Sequence, residues 1–262
     1  MGRRLGQHFL RDTAILDRIV DALDPDPEET VIEIGPGEGT LTRQLLGRVG
    51  HVVAIERDAE LARELTGAGN THGLTVVVGD ALEVHWDQSV PAPGSRRPAK
   101  VVGNIPYYIT TPLIDKALAP PARPVVVFLV QKEVADRVAA APGGKEYGAL
   151  SVGVQTVARV ERLFTVRAGA FSPPPKVDSA VIRLTPRPAP LLSPGDQPAF
   201  RRFVIALFSQ RRKQLGRSLR DVAGLERDQA LAVLDQAGIP PTDRPEVLAP
   251  EAVVALYLVA MR

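Results

Sequence analysis

Five residues, Gly35-Pro36-Gly37-Glu38-Gly39, constrain the fold of this chain more than any others. They follow Val31-Ile32-Glu33-Ile34, a short run of the buried-strand kind. They precede a helical pattern that begins near Thr40, with Leu41, Leu45 and Leu46 on one side. A strand that runs into a tight glycine turn and out into a helix is the opening of a nucleotide-binding crossover. Such a crossover implies parallel strands with helices between them. The spacing is Gly-x-Gly-x-Gly. A dinucleotide fingerprint puts its third glycine one residue later, where Thr40 stands, so the loop leans away from NAD.

Three more strands are expected in register with the first. His51 to Ile55 ends in Glu56, Leu74 to Val78 ends in Gly79-Asp80, and Lys100 to Gly103 delivers Asn104. Open parallel sheets bind ligands at the carboxyl ends of their strands. Glu56 is placed to accept from both hydroxyls of a ribose, and Asp80 to meet an adenine amino group. Singly, each has a plainer reading: Asp80 ahead of Ala81-Leu82 also suits the cap of a turn. Glycine loop, ribose acid, adenine acid and a fourth polar loop in that order is the pattern of S-adenosylmethionine enzymes. Their sulfonium is electrophilic enough that neither a metal nor a covalent enzyme intermediate is needed.

The fourth loop is Asn104-Ile105-Pro106-Tyr107. It suits chemistry on a planar exocyclic amine, a poor nucleophile because its lone pair is delocalised into the ring. The Asn104 side-chain oxygen can accept one hydrogen bond from such an amine. The Ile105 carbonyl can accept another, since Pro106 fixes the local backbone. Tyr107 offers a face on which a base stacks. Pro-Tyr after Asn is also an ordinary strand-ending turn, and only the electrophile site upstream tips the balance.

The rest of the chain is read more coarsely. Its 262 residues are 45% hydrophobic and 24% charged, enough for one large core and a smaller domain. There is no Cys, which excludes disulfides and Cys-ligated zinc, and four scattered His make a metal site improbable. No apolar stretch is long enough to span a bilayer, and Met1-Gly2-Arg3-Arg4 lacks the apolar segment of a signal peptide, so a cytoplasmic location is expected. Thr13 to Leu23 reads as an amphipathic helix capped by Thr13. Val125 to Val130 reads as a buried strand, and Val160 to Val166 with Asp178 to Leu184 as an edge hairpin. Between those two lies Phe171-Ser172-Pro173-Pro174-Pro175, a stiff segment whose Phe171 is either a second stacking platform or a core plug. Pro186 to Pro198 reads as a Pro-rich linker. Helices follow at Ala199 to Phe208, Gln210 to Leu219, Arg227 to Ala237 and Pro250 to Met261.

The net charge is only +2, but its distribution is uneven. Arg201, Arg202, Arg211, Arg212, Lys213, Arg217 and Arg220 fall within twenty residues that contain no acid. Arg3, Arg4 and Arg11 add to this at the amino terminus, and Arg96, Arg97 and Lys100 in mid-chain. A charge run is usually a solvated face; beside a base-modifying loop, a phosphate-binding surface is the better reading.

These segments together resemble the ribosomal RNA adenine dimethyltransferase family, most closely its bacterial small-subunit branch. The resemblance is carried by Leu5-Gly6-Gln7-His8-Phe9-Leu10, Glu33 to Gly37, Asn104 to Pro112, Gln131 to Arg137, Phe171 to Ser179 and Gln210-Arg211-Arg212-Lys213, and so spans nearly the whole chain. It implies an α/β fold: a Rossmann-like S-adenosylmethionine-dependent methyltransferase domain over 1–186, a linker over 187–198 and an all-helical RNA-binding domain over 199–262. It implies cofactor contacts from His8, Leu10, Gly35, Gly37, Glu56, Asp80, Ala81 and Asn104. Asn104, Ile105 and Pro106 would hold the target amine, and Tyr107 and Phe171 would sandwich the base. Arg211, Arg212, Lys213 and Arg217 would contact RNA. The implied reaction is dimethylation of two adjacent adenines in a hairpin near the 3′ end of small-subunit rRNA, on the immature subunit, by a monomer. Position 8 is often Asn in the family and is His here; position 105 is commonly Leu and is Ile here. A large-subunit rRNA methylase, a non-catalytic assembly factor on the same fold and, more distantly, a nicotinamide oxidoreductase are the alternatives.

Overall fold

The structure is a computed structural model and describes residues 8–67, 72–90 and 99–261. Within them the chain forms two compact units. The first comprises the described residues up to Ala135 together with Glu161–Pro186; the second comprises Asp136–Val160 and Arg187 onward.

The first unit is built on a seven-stranded sheet. In chain order the elements up to residue 186, those of Asp136–Val160 included, are β1 (Phe9–Leu10), α1 (Thr13–Asp21), β2 (Thr30–Ile34), α2 (Thr40–Leu46), β3 (His51–Glu56), α3 (Ala59–Gly67), β4 (Leu74–Val78) and α4 (Trp86–Ser89). They continue with β5 (Lys100–Asn104), α5 (Thr110–Leu118), β6 (Val126–Gln131), α6 (Lys132–Val138), α7 (Ala149–Val157), β7 (Ala158–Val166), β8 (Phe171–Ser172) and β9 (Ser179–Pro186). The sheet order is β4-β3-β2-β5-β6-β9-β7. The pairs from β4 through β6 are parallel, and β9 runs antiparallel to β6 with Gln131 opposite Ser179. The chain reverses direction of growth at β2, so β2, β3 and β5 end side by side where an α/β sheet opens a crevice.

The central strands are apolar because both faces are covered. Val31, Ile32, Val52, Val53, Val101, Val102, Val126, Val127 and Phe128 are fully buried, as expected of parallel strands between helices. The expected edge hairpin is present as two neighbouring strands, but the later one, β9, lies inside the earlier one, β7. The cap of α1 is Asp12 rather than Thr13: Asp12 has extended backbone and its carboxylate accepts from the Ile15 N–H at 3.2 Å. A separate two-stranded pair, β1 with β8, sets Leu10 opposite Phe171.

The second unit contains α7 and four helices near the carboxy terminus, α8 (Gln197–Ser209), α9 (Leu215–Ala223), α10 (Arg227–Gln236) and α11 (Pro250–Met261). Phe200, Phe203, Leu207, Leu219, Leu234, Val253 and Leu256 form its core with Tyr147 and Val152. Tyr147 is fully buried and donates to the Leu248 carbonyl at 2.8 Å; burial pushes its hydroxyl well above the usual phenol range. Residues 187–196 are irregular, yet they are tied to this unit. The Arg187 N–H bonds the Val157 carbonyl at 2.9 Å, Arg187 pairs with Glu251, and Leu192 is buried. The helix expected over Gln210 to Leu219 starts only at Leu215, so Arg211, Arg212 and Lys213 occupy the turn after α8.

Gly103 shows how closely β2 and β5 approach. A Cβ there would lie 2.6 Å from the Ile34 carbonyl oxygen and 2.9 Å from Ile105 Cδ1. Gly103→Ala should therefore cost about 1–3 kcal/mol of stability through forced backbone movement, read as a lowered urea midpoint with an unchanged slope; an unchanged midpoint would show that the strands separate freely.

Candidate functional site

The carboxyl ends of β2, β3, β4 and β5 open on one cavity of about 480 Å³, within the usual range of small-molecule sites. His8, Gly35, Gly37, Glu56, Asp80, Ala81 and the run Asn104 to Tyr107 all line it. Two sequence-predicted residues do not. Leu10 is buried against a smaller adjoining cavity, of about 30 Å³, which it shares with Glu33, Gly35 and Asn104. Phe171 is 5% exposed and packs in the core with Leu10, Leu16 and Val181, because the β1–β8 pair pins it there. Phe171 thus packs in the core and is not among the residues that line the larger cavity.

The glycine loop takes its shape from positive φ at Gly35 (67°), Gly37 (56°) and Gly39 (74°), a region that β-carbons disfavour. At Gly37 a Cβ would also meet the Phe9 ring at 2.6 Å. The loop is held by Glu56. This carboxylate is 4% exposed; one oxygen accepts from the Gly37 N–H at 3.0 Å and the other from the Asp58 N–H at 2.9 Å. Asp58 in turn caps the start of α3, accepting from the Glu60 N–H at 2.9 Å.

Asp80 caps the turn as its plainer reading expects, and it also lines the cavity. One oxygen accepts from the Leu82 N–H at 2.9 Å, capping the turn, while the other lies 3.6 Å from the Arg57 guanidinium. The turn is braced from α5 by Lys116, whose ammonium donates to the Leu82 carbonyl at 2.8 Å and the Val84 carbonyl at 2.7 Å. Burial lowers the Lys116 pKa. Lys116, Arg57 and Asp58 were not among the residues singled out by sequence. Only Asp58 carried a signal, as an acid just ahead of a helix.

At β5, Asn104 donates its amide N–H to the His8 carbonyl at 2.9 Å, which leaves its oxygen as the acceptor it can present. The Ile105 N–H is spent on the Leu129 carbonyl at 3.0 Å. No donor reaches the Ile105 carbonyl among the described residues. The Tyr107 hydroxyl sits 3.1 Å from the Ser179 hydroxyl, and its ring lies 6.2 Å from that of His8 at 29° between planes. Tyr108, beside it at the cavity rim, is 64% exposed.

The cavity wall carries three carboxylates, Glu56, Asp58 and Asp80, against one guanidinium, Arg57. Such a wall favours a ligand with net positive charge and opposes a pyrophosphate. Apolar Ile34, Ile55, Ala81 and Ile105 supply the rest of the lining. Carboxylate acceptors, a glycine cradle and apolar walls fit the hydroxyls, amine and sulfonium of S-adenosylmethionine. Among the described residues there is no group of three or more His, Cys, Asp or Glu that could hold a metal.

With this geometry, comparison with known proteins is decisive. A family model described as ribosomal RNA adenine dimethylase matches residues 2–252. The chain belongs to this family. It is 45% identical to the ribosomal RNA small subunit methyltransferase A of Nitrosococcus oceani, over 97% of this chain and 94% of that one. The protein of the same name from Bordetella pertussis is 44% identical over 93% of this chain and 88% of its own length. Among solved structures, a dimethyladenosine transferase from Plasmodium falciparum superposes with a TM-score of 0.83 at 27% identity, covering 96% of both chains. The 23S rRNA methyltransferase ErmE does so with a TM-score of 0.75 at 30% identity, covering 97% of this chain and 100% of its own. The fold is that of a Rossmann-like methyltransferase with a helical carboxy-terminal region.

The basic residues expected to meet RNA divide in the structure. Arg211 is committed inside its unit, pairing with Glu246 at 3.0 Å and donating to the Lys145 carbonyl at 3.2 Å. Lys213 pairs with Asp221 at 3.3 Å. Arg212 and Arg217 are exposed and have no ion-pair partner among the described residues. In the first unit Arg11 pairs with Glu38, and Lys100 with Glu29 and the Asp24 carbonyl. Arg3, Arg4, Arg96, Arg97 and the segment Leu5-Gly6-Gln7 lie outside the described residues.

Glu33 gives this site a pH signature. It is fully buried, accepts from the Thr42 hydroxyl at 2.6 Å, and is pushed up to about 7, chiefly by burial and further by the nearby Glu56. An acid with a raised folded pKa binds more protons folded than unfolded between its ordinary value, 4.5, and about 7. Its contribution to stability therefore falls as pH rises through that window and levels off above it. Glu33→Gln keeps an acceptor for Thr42 and removes the titration. Its stability relative to the unsubstituted protein should rise between pH 5 and pH 8, by on the order of 1–3 kcal/mol; denaturant midpoints at the two pH values measure this, and a constant difference would place Glu33 in a solvated setting.

Proposed function

We propose that this protein transfers methyl groups from S-adenosylmethionine to the exocyclic amines of two adjacent adenines in a hairpin near the 3′ end of small-subunit rRNA, two methyls to each. The work would be done on the immature subunit in the cytoplasm. The observation that carries the cofactor reading is the anionic cavity wall, which suits a cationic sulfonium ligand and not a dinucleotide. The choice of the small subunit rests on 44–45% identity to small-subunit methyltransferases against 30% to a large-subunit enzyme. The described residues include no helix long and apolar enough to cross a membrane.

When bound, S-adenosylmethionine supplies an electrophilic methyl carbon. The protein's residues position the acceptor and favour the charge that grows on it. Glu56 accepts from the ribose hydroxyls while keeping the glycine loop in place, and Asp80 with Ala81 holds the adenine end. Asn104 Oδ1 and the Ile105 carbonyl accept hydrogen bonds from the target amine. As the nitrogen becomes cationic both bonds strengthen, so they stabilise the transition state more than the ground state. Tyr107 fixes the plane of the base, which makes the attack in-line. The methylated nitrogen is acidic enough to release its proton to water, so no strong general base is called for. The second methylation leaves the amine one hydrogen, so one of the two acceptors then works alone.

Glu56→Ala should weaken S-adenosylhomocysteine binding by about 1.5–3 kcal/mol, the usual loss for hydrogen bonds to a charged group, in titration calorimetry. Asn104→Ala should lower transfer to subunit rRNA at least a hundredfold while RNA binding holds. Primer extension across the hairpin reads the product. Methylation of naked large-subunit rRNA in preference to the small subunit would decide for the large-subunit reading.

The helical unit is proposed as the RNA-binding module, with Arg212 and Arg217 its phosphate contacts. Replacing both by Gln should reduce the slope of log affinity against log salt by about 0.7–0.9 per lost contact, with cofactor affinity unchanged. Arg211→Gln should instead lower the stability of the unit, since it strands Glu246. An unchanged salt slope in the Arg212/Arg217 variant would make that face merely solvated.

A further inference from the structure

The turn that carries Asp80 leaves the sheet at its margin. Among the described residues β4 is the outermost strand, paired with β3 alone. Glu56, by contrast, ends an inner strand, and its carboxylate is bonded to two loops. Asp80 can stay at the cavity only if its turn is supported from elsewhere.

That support comes from side chains behind the turn. The Trp86 indole N–H donates to the Ala81 carbonyl at 2.9 Å. The Lys116 ammonium donates to the Leu82 carbonyl at 2.8 Å and the Val84 carbonyl at 2.7 Å. Lys116 also lies 5.2 Å from the centre of the Trp86 ring, and the Arg123 guanidinium 5.7 Å from it, both within cation–π reach. Trp86 is buried, and Arg123 is held over it by an ion pair with Asp87 at 2.7 Å. Neither Lys116 nor Trp86 is among the residues that line the cavity.

Leu82 connects this support to the acid. Its carbonyl accepts from Lys116, and its N–H donates to one oxygen of Asp80 at 2.9 Å. Any displacement of Leu82 therefore moves the Asp80 carboxylate with it. Hydrogen bonds from an ammonium are stronger than those from a neutral donor, so Lys116 is the stiffest tie on the turn. It also belongs to α5, which starts directly after Tyr107–Ile109, so one helix joins the Asn104 loop to the Asp80 turn.

We propose that Lys116, seated on Trp86, is a positioning residue that sets the selectivity of the cofactor site for adenine, by holding the Asp80 turn where a carboxylate oxygen meets the adenine amino group. The inference rests on the adenine contact proposed above for Asp80. Lys116 itself touches no part of the ligand.

The test is titration calorimetry on the full-length protein with two ligands: S-adenosylhomocysteine, and its analogue in which hydrogen replaces the adenine amino group. The unsubstituted protein should prefer S-adenosylhomocysteine by roughly tenfold or more, the effect of one hydrogen bond to a charged acceptor. Lys116→Met keeps a straight side chain against Trp86 and removes the ammonium. Its affinity for S-adenosylhomocysteine should fall roughly tenfold while that for the analogue holds, so the preference disappears. Lys116→Arg can still donate to both carbonyls and should recover most of the preference. In turnover, Lys116→Met should raise KM for S-adenosylmethionine and leave kcat and KM for RNA within about twofold. Equal weakening of both ligands in Lys116→Met would overturn the proposal and make Lys116 a support of the fold at large. If the unsubstituted protein binds the two ligands equally, the adenine contact of Asp80 falls and the role of Lys116 falls with it. If it prefers S-adenosylhomocysteine and Lys116→Met keeps that preference, the contact stands and only the role of Lys116 falls.

Discussion

The carboxylate of Glu56 is the interaction on which the site depends. It ends β3, is buried, and accepts one backbone N–H from the glycine loop and another from the entry to α3. Burying a charged carboxylate without partners costs several kcal/mol. Two charge-assisted hydrogen bonds offset much of that cost. They also link the loops that follow β2 and β3, so the mouth of the cavity is fixed by one side chain before any ligand arrives. A ligand hydroxyl adds a further donor to a group already desolvated and aimed, so little reorganisation accompanies binding.

The same arrangement bears on the charge of Glu33. Burial, with the Glu56 carboxylate nearby, raises the pKa of Glu33. Glu56 has two backbone donors, whereas Glu33 has one hydroxyl, from Thr42. The pKa of Glu33 is pushed up to about 7, so near neutral pH it carries only part of a charge. The small cavity shared by Glu33 and Asn104 is therefore less negative than the wall that carries Glu56, Asp58 and Asp80.

Much of this was legible in the sequence because parallel strands advertise themselves. Each is a run of buried apolar residues ended by a polar one, so Glu56, Asp80 and Asn104 could be placed from local pattern. What was not legible depended on contacts far along the chain. Phe171 offered two readings because an aromatic before prolines serves a core or a base equally well, and the β1–β8 pairing that buries it joins residues more than 150 positions apart. Arg211 read as a phosphate ligand because a charge run does not show its partner, and Glu246 lies well outside that run. Asp136–Val160 reads by sequence with the first 186 residues, because nothing in its local pattern shows that it packs with the later helices.

Those long-range contacts place the Asn104 side chain under control of the His8–Arg11 arm. Asn104 gives its amide N–H to the His8 carbonyl, Leu10 pairs with Phe171, and the Arg11 N–H bonds the Ala170 carbonyl at 3.3 Å. A side-chain amide free to rotate would present its oxygen or its NH₂ to an incoming amine, and only the oxygen can accept. By occupying the NH₂, the arm settles that choice in advance. The arm is itself held by residues 170–173, so the stiffness of the proline segment is transmitted to the rotamer of Asn104. The prolines thus act on the site through geometry: they reduce the conformations of a distant strut, and that in turn fixes which atom of Asn104 is left to accept.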